Sequence, residues 1–132
     1  MKNAVLDSYA VLAFLFKEGG HEIVLSLFEK AVEVNKKLQI ASPNWAEVRY
    51  MVERKVGAVR WSEVRAKLLG LPIDIIEADQ ELAETAGEIK AFHKMSLADC
   101  FAAALARLKK AELYTGDPEF KVIEAEQKIV WL

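Results

Sequence analysis

The sequence predicts a three-layer α/β/α domain built on a central five-stranded parallel sheet. Three observations carry this. Short apolar runs alternate with longer segments of helical periodicity, the pattern of β-α units. The first run, Ala4-Val5-Leu6, ends at once on a carboxylate, Asp7, and leads straight into a helix-like stretch. Strands that stop on a polar residue and turn into a helix belong in the middle of parallel sheets, whose carboxyl edges hold the chemistry.

Taken in order, Ala4-Val5-Leu6 is the first strand, and Val11, Leu12, Leu15 and Phe16 recur at helical spacing after Ser8. Glu18-Gly19-Gly20 breaks that helix. A second helix follows over Glu22 to Asn35, with Ile23, Leu27, Phe28, Ala31 and Val34 as its apolar stripe. Leu38 to Ser42 reads as the second strand. Ser42-Pro43 signals a helix start, with Ser as cap and Pro in the first turn. That helix runs to about Lys55 and Gly57 ends it; a fourth covers Val59 to about Leu69, closed by Gly70 and Pro72. Pro72 to Ile76 is the third strand, and Asp79 caps a fifth helix, Gln80 to Phe92. Ser96 opens an Ala-rich sixth helix, Leu97 to Lys109. Glu112 to Thr115 is the fourth strand, and Gly116-Asp117-Pro118 turns it into a short helix through about Ile123. Lys128 to Trp131 makes the fifth strand. Crossovers between parallel strands are expected to be right-handed, which puts helices on both faces.

Composition sets the outer bounds. The 132 residues fit one domain of ordinary size, residues 1–132, and 53% of them are hydrophobic, enough for a core without staples. Charges interrupt every apolar run before a membrane span could form. No secretory signal is visible, and the lone Cys100 permits no internal disulfide, so the expected compartment is the reducing cytoplasm. A net charge of −2 argues against a strongly basic nucleic-acid binder, but not against an enzyme that touches RNA through one local surface.

Four acids occupy comparable places, just after a strand or early in a helix: Asp7, Glu47, Asp99 and Asp117. In a parallel sheet these positions can converge above the carboxyl edge, where the strand order reverses. Carboxylates packed together repel at neutral pH, and a hard divalent cation such as Mg²⁺ or Mn²⁺ relieves that repulsion. The chemistry such a site suits is metal-assisted phosphodiester hydrolysis. Each acid also has a plainer explanation. Asp117-Pro118 is a good helix cap, and Ser96-Leu97-Ala98-Asp99 matches a capping box. Glu47 lies opposite the stripe Trp45, Val48, Val52 and Val56, so periodicity places it on a solvated face. Asp7 is hardest to dismiss as a cap, because Ser8 already offers one. The weight lies in four acids at one rim.

The residues that carry a resemblance are Val5-Leu6-Asp7-Ser8, Asn44-Trp45-Ala46-Glu47-Val48, the run Ser96 to Ala106, and Thr115-Gly116-Asp117-Pro118-Glu119-Phe120. In this order and spacing the chain resembles the PIN-domain ribonucleases, most closely the VapC-type toxins of prokaryotic toxin–antitoxin modules, over nearly its whole length. The resemblance implies that Asp7, Glu47, Asp99 and Asp117 form a catalytic, metal-holding quartet for Mg²⁺ or Mn²⁺. Asp7, Asp99 and Asp117 are then the main ligands, with Glu47 acting directly or through water. Ser8 and Thr115 fall at small hydroxyl positions that orient carboxylates, and Glu119 stands where an Asp is usual. The implied activity is cleavage of RNA, such as a tRNA or rRNA, by a homodimer held in check by a cognate antitoxin.

Arg49, Arg54, Lys55, Arg60, Arg65 and Lys67, interleaved with Tyr50 and Trp61, are a weak RNA-facing signal; a solvated helical pair with the aromatics in the core or at a dimer interface is the favoured explanation. Arg49 and Lys94 are the candidate phosphate contacts. No zinc pattern surrounds Cys100, which reads as a small buried residue. Surplus apolar residues on the first two helices, among them Tyr9, Phe14 and Ile23, belong to the core or to a partner groove. An aspartyl phosphatase would want a second Asp where Tyr9 stands. Two further alternatives are a PIN nuclease for RNA processing without a toxin role and a non-catalytic α/β binding module.

Overall fold

The computed structural model describes residues 1–132. Five strands form one parallel sheet in the order β3-β2-β1-β4-β5: β1 Ala4–Leu6, β2 Leu38–Ala41, β3 Ile73–Ile76, β4 Glu112–Thr115 and β5 Ile129–Trp131. Six α-helices and one 3-10 helix connect them: α1 Ser8–Phe16, α2 His21–Glu33, α3 Ser42–Val56, α4 Ala58–Leu69, α5 Gln80–Phe92, α6 Leu97–Lys109, and the 3-10 turn Pro118–Ile123. The expected five-stranded parallel sheet with helices on both sides is what the chain adopts, with end points moved by one or two residues.

Strand β1 is only three residues long, yet it is central and wholly buried. Its side chains alternate as a pleated strand requires. Val5 enters the core under α5, α6 and the 3-10 turn, where Leu105, Leu113 and Phe120 pack. Ala4 and Leu6 enter the core under α1 to α4, with Val11, Phe28, Ile40 and Trp61. Register runs Ala4↔Glu112, Val5↔Leu113 and Leu6↔Tyr114 on one side and Val5↔Gln39 on the other. The chain therefore moves outward from β1 in both directions, and the order reverses between β1 and β4. Their carboxyl ends, Asp7 and Thr115 to Asp117, bound the crevice in which such sheets bind ligands. The Ala-rich face of α6, with Ala102, Ala103, Ala104 and Ala106 all buried, lets this helix lie close to the sheet and α5.

Three local expectations change. Ser42 does not cap α3: the cap position is Ala41, and the Ser42 hydroxyl instead accepts from the Ala78 amide at 3.1 Å, tying α3 to the segment after β3. Ser8 does not cap α1 either. Asp7 does so itself, its Oδ1 accepting from the Ala10 amide at 2.9 Å. Of the aromatics among the basic residues, Trp61 is buried edge-on against Trp45 with ring centroids 5.6 Å apart, whereas Tyr50 is exposed beneath Arg54.

Candidate active site

The four predicted acids are brought to one place. Asp7, Glu47, Asp99 and Asp117 all line a single cleft of about 230 Å³ at the carboxyl edge, together with Ser8, Ser96 and Glu119. Each arrives on a different element: Asp7 from the end of β1, Glu47 from α3, Asp99 from the first turn of α6, Asp117 and Glu119 from the turn after β4.

The acids are held unequally. Both oxygens of the buried Asp7 carboxylate are engaged, Oδ1 by the Ala10 amide and Oδ2 by the Thr115 hydroxyl at 2.5 Å. Thr115 Oγ1 in turn accepts from the Asp117 amide at 3.0 Å, so one fully buried hydroxyl links two of the acids. Ser8 Oγ donates to Glu47 Oε1 at 2.9 Å, and Asn44 Nδ2 donates to the same oxygen at 3.3 Å. These bonds explain why Glu47 is half-buried at the cleft, although helix periodicity alone sets it on the solvent side. Periodicity describes one helix in isolation; here the other side of α3 meets α1 and α6 across the crevice.

The capping box predicted at α6 is divided between two acids. Ser96 Oγ accepts from the Asp99 amide at 3.2 Å, as a cap should. The return bond, from the Ser96 amide, goes to Glu119 rather than to Asp99. The Asp99 carboxylate is thereby freed from helix duty, and its buried Oδ2 has no hydrogen-bond partner. Asp117 keeps its capping role, Oδ1 accepting from the Glu119 amide at 2.9 Å.

Electrostatics follow from this crowding. Burial pushes Asp7 up to about 7, against the lowering effect of its bonds from Thr115 and Ala10, with the charges of Asp117 and Glu47 adding to the rise. Burial also pushes Asp99 up to about 8, assisted by the negative charges of Asp117, Glu119 and Asp7. Two carboxyls raised this far are ones that a cation placed among them would favour in the ionised form. Oxygens of Asp99, Asp117 and Glu119 lie within 4.8 Å of one another, a hard donor set that fits Mg²⁺ or Mn²⁺. The unpartnered Asp99 Oδ2 fits the same ion, since a buried anionic oxygen without a donor is otherwise costly. Asp7 and Glu47 complete the negative wall of the cleft.

Asn44 is the site residue that sequence reasoning passed over. It is fully buried, ties Glu47 to the Ala98 carbonyl, and leaves its own Oδ1 without a partner. The available signal was an Asn three residues before Glu47 within the first turn of a helix. Arg49 is paired with Glu53 at 3.3 Å and lies over Trp61, while Lys94 is exposed two residues before Ser96.

The hydroxyl of Thr115 is open to a direct test. Thr115→Val keeps the shape but leaves Asp7 Oδ2 without a donor, a loss of about 1–3 kcal/mol where the carboxylate is ionised. The Asp117 amide loses its acceptor at any pH, so urea unfolding should show a loss at both pH 5 and pH 8, and the larger one at pH 8, where Asp7 is ionised. Equal losses at both pH values would mean that the hydroxyl does not support a charged Asp7.

An α/β/α fold with an acidic, hard-oxygen cleft at the strand-order reversal defines a class of metal-site proteins. Residues 4–126 match the PIN domain family model, and the chain belongs to that family. The fold is similar to that of VapBC from Salmonella typhimurium bound to DNA, at TM-score 0.75, 17% identity and 98% of each chain. It is also similar to VapBC2 from Rickettsia felis bound to a promoter DNA fragment, at TM-score 0.74, 18% identity and 98% of each chain. A third similar structure is the sarcin–ricin loop cleaving toxin VapC20 of Mycobacterium tuberculosis, at TM-score 0.70 and 18% identity, covering 98% of this chain and 100% of that one. No curated protein matches the sequence.

Proposed function

We propose that this chain is an endoribonuclease dependent on Mg²⁺ or Mn²⁺, and the toxin of a VapBC-type module. The observation that carries the reading is the set Asp99, Asp117 and Glu119, with a buried, unpaired Asp99 oxygen, inside a PIN domain. The similar structures support the toxin assignment: two are VapBC complexes, and a third is described as cleaving the sarcin–ricin loop. A bound divalent cation supplies charge neutralisation at the phosphate and lowers the pKa of a water.

The chain's residues do the rest. Asp99, Asp117 and Glu119 would hold the ion, with Asp7 and Glu47 closing the acidic wall. Thr115 and Ser8 fix the carboxylates of Asp7 and Glu47, so that little reorganisation is needed when the RNA phosphate enters. Water adds to phosphorus as the ribose oxygen leaves; no side-chain nucleophile is required. Lys94, exposed two residues before Ser96, and Arg49 are the proposed RNA phosphate contacts. A cognate antitoxin, a homodimeric state, a single domain over 1–132 and a cytoplasmic setting belong to the same proposal. A buried lone Cys100 and the absence of any helix long and apolar enough to cross a membrane are compatible with that setting.

The test is cleavage of tRNA and rRNA by purified protein with Mn²⁺ or Mg²⁺, with EDTA, and with Asp117→Asn. Cleavage that needs the metal and disappears in the variant supports the reading. Cleavage indifferent to EDTA removes it. Absence of both cleavage and Mn²⁺ binding by calorimetry removes it as well.

A further inference from the structure

We infer that Tyr9 is the stacking platform for an unpaired base beside the scissile phosphate, which makes it a specificity-determining residue. This inference rests on the ribonuclease reading and deepens it. Tyr9 stands two residues after Asp7 and lines the acidic cleft, yet its side chain serves neither the acids nor the core. It is 44% exposed, a large amount for an aromatic so close to a buried carboxylate. A second, more apolar cleft of about 200 Å³ adjoins the first, lined by Tyr9, Leu12, Met51 and Glu18. Tyr9, Leu12 and Met51 line both. A chain whose phosphate sits among the acids would therefore place a neighbouring base against these three side chains.

The ring also lies close to backbone. Gly116 lies against it, and a Cβ at that position would fall 2.7 Å from Tyr9 Cζ, inside van der Waals contact. Gly116 belongs to the same turn that supplies Asp117. The backbone that sets an acid thus also lies against the ring, which puts the platform beside the acids. A half-exposed aromatic beside a phosphate site is the arrangement by which proteins take single-stranded bases, because every base offers a π-face. The acidic surroundings argue for a neutral base rather than a phosphate as the occupant. Met51 adds a soft, adaptable contact suited to more than one base.

The experiment uses the full chain with Mn²⁺ and a short single-stranded RNA spanning a site the wild type cuts. Twin oligonucleotides each lack one base next to that site. Tyr9→Ala should raise KM on the order of tenfold, within the range that base–aromatic stacking supplies, with the loss sitting in KM rather than kcat. One abasic twin should cost the wild type a similar factor and cost Tyr9→Ala almost nothing, since the partner is already gone. Tyr9→Phe should recover the wild-type pattern. Gly116→Ala, which displaces the ring, should reproduce the KM rise. Mn²⁺ affinity of each variant, read by calorimetry, separates a lost platform from a damaged site. If Tyr9→Ala leaves KM unchanged with Mn²⁺ binding intact, or if its penalty adds in full to every abasic penalty, the platform is overturned while the ribonuclease reading stands. If Tyr9→Ala changes only self-association, the ring belongs to a protein interface and the inference fails. A wild type that neither cuts nor binds RNA removes the ribonuclease reading, and this inference with it.

Discussion

Replacing Asp99 by Asn is expected to abolish RNA cleavage and, in the same protein, to raise the thermal stability of the metal-free form at pH 8. The two effects have one cause. Asp99 is 6% exposed and faces the charges of Asp117, Glu119 and Asp7, with one oxygen lacking any donor. Ionising it there is unfavourable, which is why burial carries its pKa to about 8. Asn has the same shape and no charge, so the repulsion disappears. The amide still meets an imperfect set of partners, so only part of the electrostatic gain survives. A net gain on the order of 2 kcal/mol is expected, several degrees in Tm for a chain of this size. The loss of a metal-holding oxygen should lower kcat/KM by more than about a hundredfold, beyond what substitutions of outer-shell residues cost. Calorimetry without metal and a cleavage assay with Mn²⁺ give both numbers. A lower Tm, or cleavage that survives, would show that Asp99 is a structural cap.

The stability of the metal-free protein should fall as pH rises from about 4 to about 8, opposite to the acid sensitivity that salt-bridged carboxylates confer. Asp7 and Asp99 have folded pKa values of about 7 and about 8, both above the ordinary 3.8. Across that window the unfolded chain has released both protons and the folded chain retains them. Folding is then linked to proton uptake, and each group costs up to about 1.4 kcal/mol per pH unit until its folded pKa is passed. Below about pH 4 both states are protonated and the dependence ends. Mn²⁺ should oppose the trend, since a cation favours the ionised acids. At a concentration a hundredfold above Kd it adds about 2.7 kcal/mol at pH 8 and far less at pH 5. Urea titrations at four pH values, with and without Mn²⁺, would show this. Stability that stays flat or rises between pH 5 and 8 without metal would contradict the upward shift that burial gives these two acids.

Much of this was legible from local signals. The apolar run Ala4-Val5-Leu6 closing on Asp7 placed the first strand at the centre of the sheet, because a three-residue strand with no polar side chain must be covered on both faces. Asp79 and Ser96 announced α5 and α6 through their side-chain oxygens, and both make those bonds, since capping is decided within four residues of sequence. The motifs around Asp7, Glu47, Asp99 and Asp117 pointed to one rim, because strand-to-helix junctions in a parallel sheet share an edge. What remained open was how the acids divide their labour. That Ser8 reaches to Glu47 instead of capping α1, and that Glu119 takes the Ser96 amide and frees Asp99, depends on bonds between residues 39 and 23 positions apart. The same holds for Thr115 on Asp7 across 108 residues and for the Tyr9 ring seated on Gly116. Local sequence determined the elements, their order and the acids at their ends. Only tertiary packing decided which oxygens stayed unpaired, because a hydrogen bond offered by a neighbour in sequence can be taken by a better-placed neighbour in space.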